Sequence, residues 1–468
     1  MSRRYGRISA WSGGNPGSCP ACGAAPSPVP AYAWLMTGAV PLDWLSRAEL
    51  EIVPTGPVAG RLEAPSSKSL TNRLLVIAAL AEGNSVLSRV LESDDTAKMT
   101  AGLRALGVRI DDVDGETEVT GTSGRPVAGG LKVDAGLSGT TLRFLAAVAL
   151  LTKGTVVIDG QEPLRRRPIA PLLDAMRAAG AEVSTDEGRP PLRISSHGLA
   201  GGRLYVDASA SSQFATALLL VGPYADDDLI VEVGGLRELG YVRLTIGAMT
   251  RWGASVTEEV PGRFKVSARA PYVARAESIE HDASAAAHLY ALAVATGGSI
   301  TVANAFETEQ PDDRMVEVLG AMGATFTRGP NGTTIERRGE LNGIDIDLAA
   351  MPDQVPTVAA LAVLARGDTV IRGVEIARGH ESDRIRVVAT ELGRLGARVE
   401  ETPGGLVIHA GAPLHAGRID THRDHRIAMA FTAIGAVVPG VEIADPGCVA
   451  KTFPGFFDDV ARLGVGIR

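Results

Sequence analysis

The sequence predicts an α/β protein built from six repeats of one small unit, and three observations carry that prediction. A phrase of the general form Leu-Gly-Ala-x-Val recurs at Gly107, Gly180, Gly253, Gly323, Gly396 and Gly464, about seventy residues apart. About forty residues ahead of each glycine, a small or polar cluster opens an Ala/Leu-rich run. Between the two lies a glycine followed by β-branched residues, as in Gly367-Asp368-Thr369-Val370-Ile371.

Each element follows from local chemistry. The repeat glycine ends an amphipathic run and precedes an apolar pair, as in Leu395-Gly396-Ala397-Arg398-Val399. That is a helix C-cap feeding a strand. The opening clusters are Ser67-Lys68-Ser69, Ser138-Gly139-Thr140, Ser211-Ser212-Gln213, Asp282-Ala283-Ser284, Pro352-Asp353-Gln354 and Asp424-His425-Arg426. These are N-cap residue types, whose side chains satisfy the free N–H groups of a first turn. The unit therefore reads helix, strand, helix, strands. Six such modules could stack as one array or as two groups of three; the pattern alone leaves both open.

Composition narrows the function. The 468 residues are 45% hydrophobic and 21% charged, which suits globular α/β domains and excludes extensive disorder. The net charge of −8 argues against a general nucleic-acid or acidic-membrane binder. No apolar run is long enough to span a bilayer. Three cysteines exclude a disulfide framework and fit a reducing compartment, so a cytoplasmic location is expected. Residues 1–48, rich in Gly, Pro, Ser and Ala, read as a poorly ordered extension. Cys19-Pro20-Ala21-Cys22 within it is half of a zinc knuckle with no second half, so no metal site is expected.

Cations gather at helix starts: Lys68 and Arg73, Arg143, Arg165-Arg166-Arg167 before Pro168, Arg384, Arg426 and Lys451. A positive charge is unfavourable there, because the helix dipole is already positive. Repeated several times, the pattern points to anion binding by backbone N–H groups and cations together. Gly139 in such a cluster leaves room for a ligand to approach the backbone. Nucleotide-binding glycine loops are absent. The acid/base candidates are Asp353, Glu381, His380, Asp424 and His425. Asp353 could be a plain N-cap, Glu381 and Arg384 a helix-face pair, and His425 a satisfied buried histidine.

Seven motifs in order resemble those of the 5-enolpyruvylshikimate-3-phosphate synthase family. They are Pro65 to Arg73, Leu137 to Arg143, Ser211-Ser212-Gln213, Met351-Pro352-Asp353, Glu381-Ser382-Asp383-Arg384, Asp424 to Met429 and Asp445 to Pro454. The resemblance implies a two-domain inside-out α/β barrel with three units per domain. Residues 49–66 plus 282–468 would form one domain and residues 67–281 the other. It implies transfer of the enolpyruvyl group of phosphoenolpyruvate to the 5-hydroxyl of shikimate 3-phosphate, with release of phosphate. No metal or organic cofactor, nucleic acid or membrane is implied, and a monomer is expected.

Carried over by motif position, Ser69, Arg73, Ser211, Ser212, Glu238, Tyr241 and His380 would hold shikimate 3-phosphate. Lys68 and Gln213 would lie near both substrates. Gly139, Arg167, Arg384, Arg426 and Lys451 would surround phosphoenolpyruvate; Arg165 is the competing choice in the arginine triplet. Asp353 would take the proton of the attacking hydroxyl, Glu381 would exchange a proton with the methylene carbon, and Lys68 would assist phosphate departure. Departures from the family pattern are Ser66, Leu137 and Phe144, and Glu238 and His380 where many members have serine and lysine. The competing readings are a UDP-N-acetylglucosamine enolpyruvyl transferase, a paralogue acting on another cyclic alcohol, and a non-catalytic anion-binding scaffold. The first of these usually needs a loop cysteine, and none lies between Cys22 and Cys448.

Overall fold

Six helices are apolar on nearly every side: Lys68–Leu80, Gly139–Val148, Gln213–Val221, Ala283–Thr296, Val355–Ala362 and His425–Gly435. A helix of that kind must be enclosed by other elements. In the computed structural model, which describes residues 44–127 and 130–468, they are enclosed in two sets of three. The first three pack together in a core running from Leu70 to Ile279. The last three pack together in a second core, formed by Trp44 to Ala64 and Ala285 to Val465.

Around each set stand four-stranded sheets, six in all among the described residues. Every sheet has the same plan, a parallel pair extended by an antiparallel pair, which is a hairpin in five of them and joins Glu49–Val53 to Gly466–Ile467 in the sixth. In one, Asp345–Asp347 runs parallel to Thr369–Arg372, which pairs antiparallel with Gly405–His409 and through it with Arg398–Thr402. Helices inside and sheets outside make each domain an inside-out α/β barrel. The two-groups-of-three arrangement is the one adopted. All six repeat glycines lie just past an outer helix, at φ of 84, 94, 96, 107, 90 and 87°. This left-handed turn is cheap only for glycine, which explains why the repeat is legible there.

The chain closes its sheets by long-range pairing. Ala59–Leu62 joins the sheet of Ser299–Val302, and Ala276–Ser278 joins that of Asn84–Ser88. Two segments therefore cross between the cores. They run side by side, with Ser67 N–H donating to Glu280 O at 2.8 Å and Asp282 N–H to Pro65 O at 2.7 Å.

Of the extension expected over residues 1–48, residues 1–43 lie outside the described residues and Trp44–Ser46 form a short helical turn. Trp44 is buried and donates from Nε1 to Asp458 Oδ1 at 3.1 Å, and Arg47 stacks over its ring. An aromatic ring with a polar partner is enough to anchor so short a segment. The Cys19/Cys22 reading lies outside the described residues. Among those residues no helix is long and apolar enough to cross a membrane, and no cluster of His, Cys, Asp and Glu suits a metal ion.

Candidate active site

A cleft between the two cores is lined by the starts of inner helices from both sides. Lys68 and Ser69, Gly139 and Thr140, and Ser211 to Gln213 come from one side; Pro352 and Asp353 come from the other, with Gly379 to Glu381 from a nearby loop. Arg73, Arg143, Arg167 and Tyr241 complete the wall among the predicted residues. Local capping explains the convergence. Ser67, Ser138, Asp282 and Asp424 each accept a first-turn N–H, so these helix starts are fixed.

One end of the cleft is an arginine subsite. Arg143 donates to Gln213 Oε1 at 2.6 Å and lies over the Phe214 ring, and Gln213 in turn donates to Thr140 Oγ1 at 3.3 Å. A Cβ built on Gly139 would come within 2.8 Å of Arg167 Nη1 and 3.1 Å of Arg143 Nη1. The glycine thus leaves the space that two guanidiniums frame. Burial, and then the charge of Arg167, lower the Arg143 pKa. A second subsite is built on Arg73, whose donors reach Ser69 O, Thr245 Oγ1 and Tyr241 O. Burial lowers its pKa too. Neither Arg73 nor Arg143 has an ion-pair partner among the described residues. A buried cation without one is costly unless an anion arrives.

The same cleft is bordered by a charged lattice. Arg384 has a fully buried side chain with carboxylates on three sides. It donates from Nε to Asp424 Oδ2 at 2.8 Å, from Nη2 to Glu381 Oε2 at 2.9 Å, and from Nη1 to Asp353. Arg426 donates to the other Asp353 oxygen at 2.9 Å. Lys451 lies 3.1 Å from Glu381 Oε1 and donates to Leu137 O across the cleft, and Arg167 lies 3.4 Å from the same Glu381 oxygen. Burial alone would push Asp353 up, but Arg426 and Arg384 outweigh it and hold the carboxyl well below its ordinary value. Burial would raise Glu381 likewise; Lys451, Arg167 and Arg384 hold it well below. Both are carboxylates at rest.

Several expectations need correction. Asp353 is not a helix cap: Gln354 occupies the N-cap position without a side-chain bond, because the Asp353 carboxylate is taken by arginines. Arg384, carried over by motif to the phosphoenolpyruvate side, has a fully buried side chain that braces Asp353, Glu381 and Asp424. Arg426 and Lys451 also reach the cleft through those carboxylates. Glu238 borders an adjoining cavity that shares Ser212 and Tyr241 with the cleft. Arg165 points away, bonded to Asp159. His425 is buried with neither ring nitrogen hydrogen-bonded, which removes the alternative of a satisfied buried histidine.

Sequence reasoning missed Asp95. It is almost fully buried, 3.5 Å from Lys68 Nζ and 4.0 Å from Lys451 Nζ, and so ties together lysines from the two sides. In the sequence it reads as an ordinary acidic first-turn residue after the Ser93 cap.

Two buried arginines without ion-pair partners, in a cleft with a carboxylate pair, suit a site for anionic molecules. The EPSP synthase (3-phosphoshikimate 1-carboxyvinyltransferase) family matches residues 52–460. A 3-phosphoshikimate 1-carboxyvinyltransferase of Methanoculleus marisnigri is 41% identical over 423 residues, covering 89% of this chain and 99% of its own. One from Nostoc punctiforme is 39% identical, covering 86% of this chain and 95% of its own. The solved EPSP synthase of Acinetobacter baumannii superposes with a TM-score of 0.75 at 26% identity, covering 90% of this chain and 99% of that one. The chain belongs to the EPSP synthase family and is an enolpyruvyl transferase of the shikimate pathway.

Proposed function

We propose that the Arg73 subsite takes shikimate 3-phosphate, with Ser69, Ser211, Ser212 and Tyr241, and that the subsite of Gly139, Arg143, Arg167 and Gln213 takes phosphoenolpyruvate. The observation that carries this reading is the pair of buried arginines without ion-pair partners, one in each subsite. Asp353 takes the proton of the 5-hydroxyl as its oxygen attacks C2 of the enol phosphate. Glu381 supplies a proton to the methylene carbon and later removes one, and Lys68 meets the departing phosphate. The base and the acid thus act on opposite ends of the new linkage.

Glu381 is ionised at rest, so it must take up a proton before it can supply one. Lys451 and Arg167 keep it charged; an anionic phosphoenolpyruvate would share those cations and raise Glu381 towards protonation. The reading needs no metal or organic cofactor, takes the enzyme as a cytoplasmic monomer, and places one domain at residues 49–66 plus 282–468 and the other at 67–281. Glu238 and the cavity it borders extend the acceptor side.

Phosphate release tests the reading. Incubation with phosphoenolpyruvate and shikimate 3-phosphate gives one phosphate per enolpyruvyl ether formed. Release only with a UDP-sugar or another cyclic alcohol would overturn the acceptor assignment.

A further inference from the structure

Asp312 is buried, and its Oδ2 accepts two hydrogen bonds, from Gln354 Nε2 at 2.9 Å and from Ser284 Oγ. Gln354 follows Asp353 in the turn Pro352–Gln354, so the first bond grips that turn beside the proposed base. A carboxylate oxygen accepts, so the amide nitrogen is the atom that faces it. This is the Gln354 side chain's single hydrogen bond among the described residues, because Oε1 is buried without a partner.

Asp312 belongs to a second short turn, Pro311–Arg314, which touches three parts of the site. Gln310, just ahead of it, is bonded to Ser67 and His281 in the two crossing segments. Pro311 packs against Gly240 of the other core, where a Cβ would come within 2.7 Å of the proline Cγ; the next residue, Tyr241, lines the cleft. Asp312 then reaches Gln354. The charges of Asp312 and Asp353 also act on the Tyr241 hydroxyl, which burial already raises well above its ordinary value.

For stability alone this acid is badly placed. Its Oδ1 is buried without a hydrogen-bond partner among the described residues. Burial, and then the charge of Asp353, raise its pKa. A well-packed apolar side chain would cost less in such surroundings. The position makes sense for geometry. Arg384 and Arg426 hold the two oxygens of Asp353, but neither holds the turn that carries it. A displacement of about 1 Å at a reacting group can cost about a hundredfold in rate. We propose that Asp312 is a positioning residue for Asp353, fixing through Gln354 the turn that aims the base at the acceptor hydroxyl. The proposal rests on the reading of Asp353 as the proton acceptor.

Steady-state phosphate release by the full-length enzyme tests it, with each variant assayed well below its melting temperature. Gln354→Met, which keeps the size and loses the bond, lowers kcat about thirtyfold while KM for phosphoenolpyruvate moves less than about twofold. Asp312→Ala does the same, and the double variant is no slower than the slower single one, because both remove one bond. Asp312→Asn keeps kcat within about threefold, since an amide oxygen still accepts from Gln354 and Ser284. Ser284→Ala removes the other bond to the same oxygen and spares kcat. Should Asp312→Ala not fold, Gln354→Met and Asp312→Asn decide. Wild-type kcat in Gln354→Met would overturn the proposal. So would losses that multiply in the double variant, a loss in Ser284→Ala equal to that in Gln354→Met, or a loss in Asp312→Asn as large as in Gln354→Met. Asp353→Asn separates the layers. Wild-type kcat in that variant ends the Asp353 reading and the positioning with it. Lost turnover there, alongside wild-type kcat in Gln354→Met, ends the positioning alone.

Discussion

At Gly139 one methyl group decides whether two arginines can share a subsite. The atoms an added Cβ would meet are the ends of the Arg143 and Arg167 side chains, which can move, so the cost falls on geometry rather than folding. Gly139→Ala is expected to raise KM for phosphoenolpyruvate about tenfold or more while KM for shikimate 3-phosphate changes little. Equal loss for both substrates in steady-state assays would remove the glycine from the phosphoenolpyruvate side. Lys68→Ala and Glu381→Ala are expected to lower kcat by about two to four orders of magnitude with thermal melting still cooperative. Turnover retained in either variant would take that residue out of the chemistry.

At the scale of elements, Asp282 sets two helices at once. Its Oδ1 accepts from Ala285 N–H at 2.9 Å, capping Ala283–Thr296, and its Oδ2 accepts from Lys68 N–H at 3.0 Å across the crossing segments. Gln310 secures the same junction, accepting from Ser67 Oγ at 2.8 Å and donating to the His281 carbonyl at 2.6 Å. Asp282→Ala is expected to cost about 2 kcal/mol in urea unfolding, since two first turns lose an acceptor. It should also lower kcat by loosening Lys68; full activity at reduced stability would mean that the cap does not position the lysine. Asp282 was legible as a cap in the sequence, because Asp-Ala-Ser opening an alanine-rich run has few other readings. Its second bond was not, because the partner lies 214 positions away. The same limit hid Asp95: a local acid at a helix start looks alike whether it faces water or two lysines. The repeat glycines were readable because a left-handed C-cap is a purely local demand.

Across the whole molecule, the charged lattice joins the two cores and ties stability to pH. Asp353 and Glu381 have folded-state values well below the ordinary carboxylate range. Their contribution is therefore complete above about pH 4 and is lost as the pH falls through the depressed values. The stability gap between wild type and Asp353→Asn is expected to narrow between pH 7 and pH 3 in urea titrations; a constant gap would contradict the ion-pair account. The pairing of three units with three was out of reach of the repeat pattern, because it depends on which buried helix faces meet. The family resemblance supplied that pairing. The resemblance did not supply the full burial of the Arg384 side chain, which follows from three carboxylates gathering around one guanidinium.

The two-subsite claim is tested most directly by steady-state KM for both substrates in Arg73→Gln and Arg143→Gln. Arg73→Gln should weaken shikimate 3-phosphate and largely spare phosphoenolpyruvate, and Arg143→Gln should do the reverse. Parallel losses for both substrates in both variants would show one undivided charge field, and the assignment of an arginine to each anion would fail.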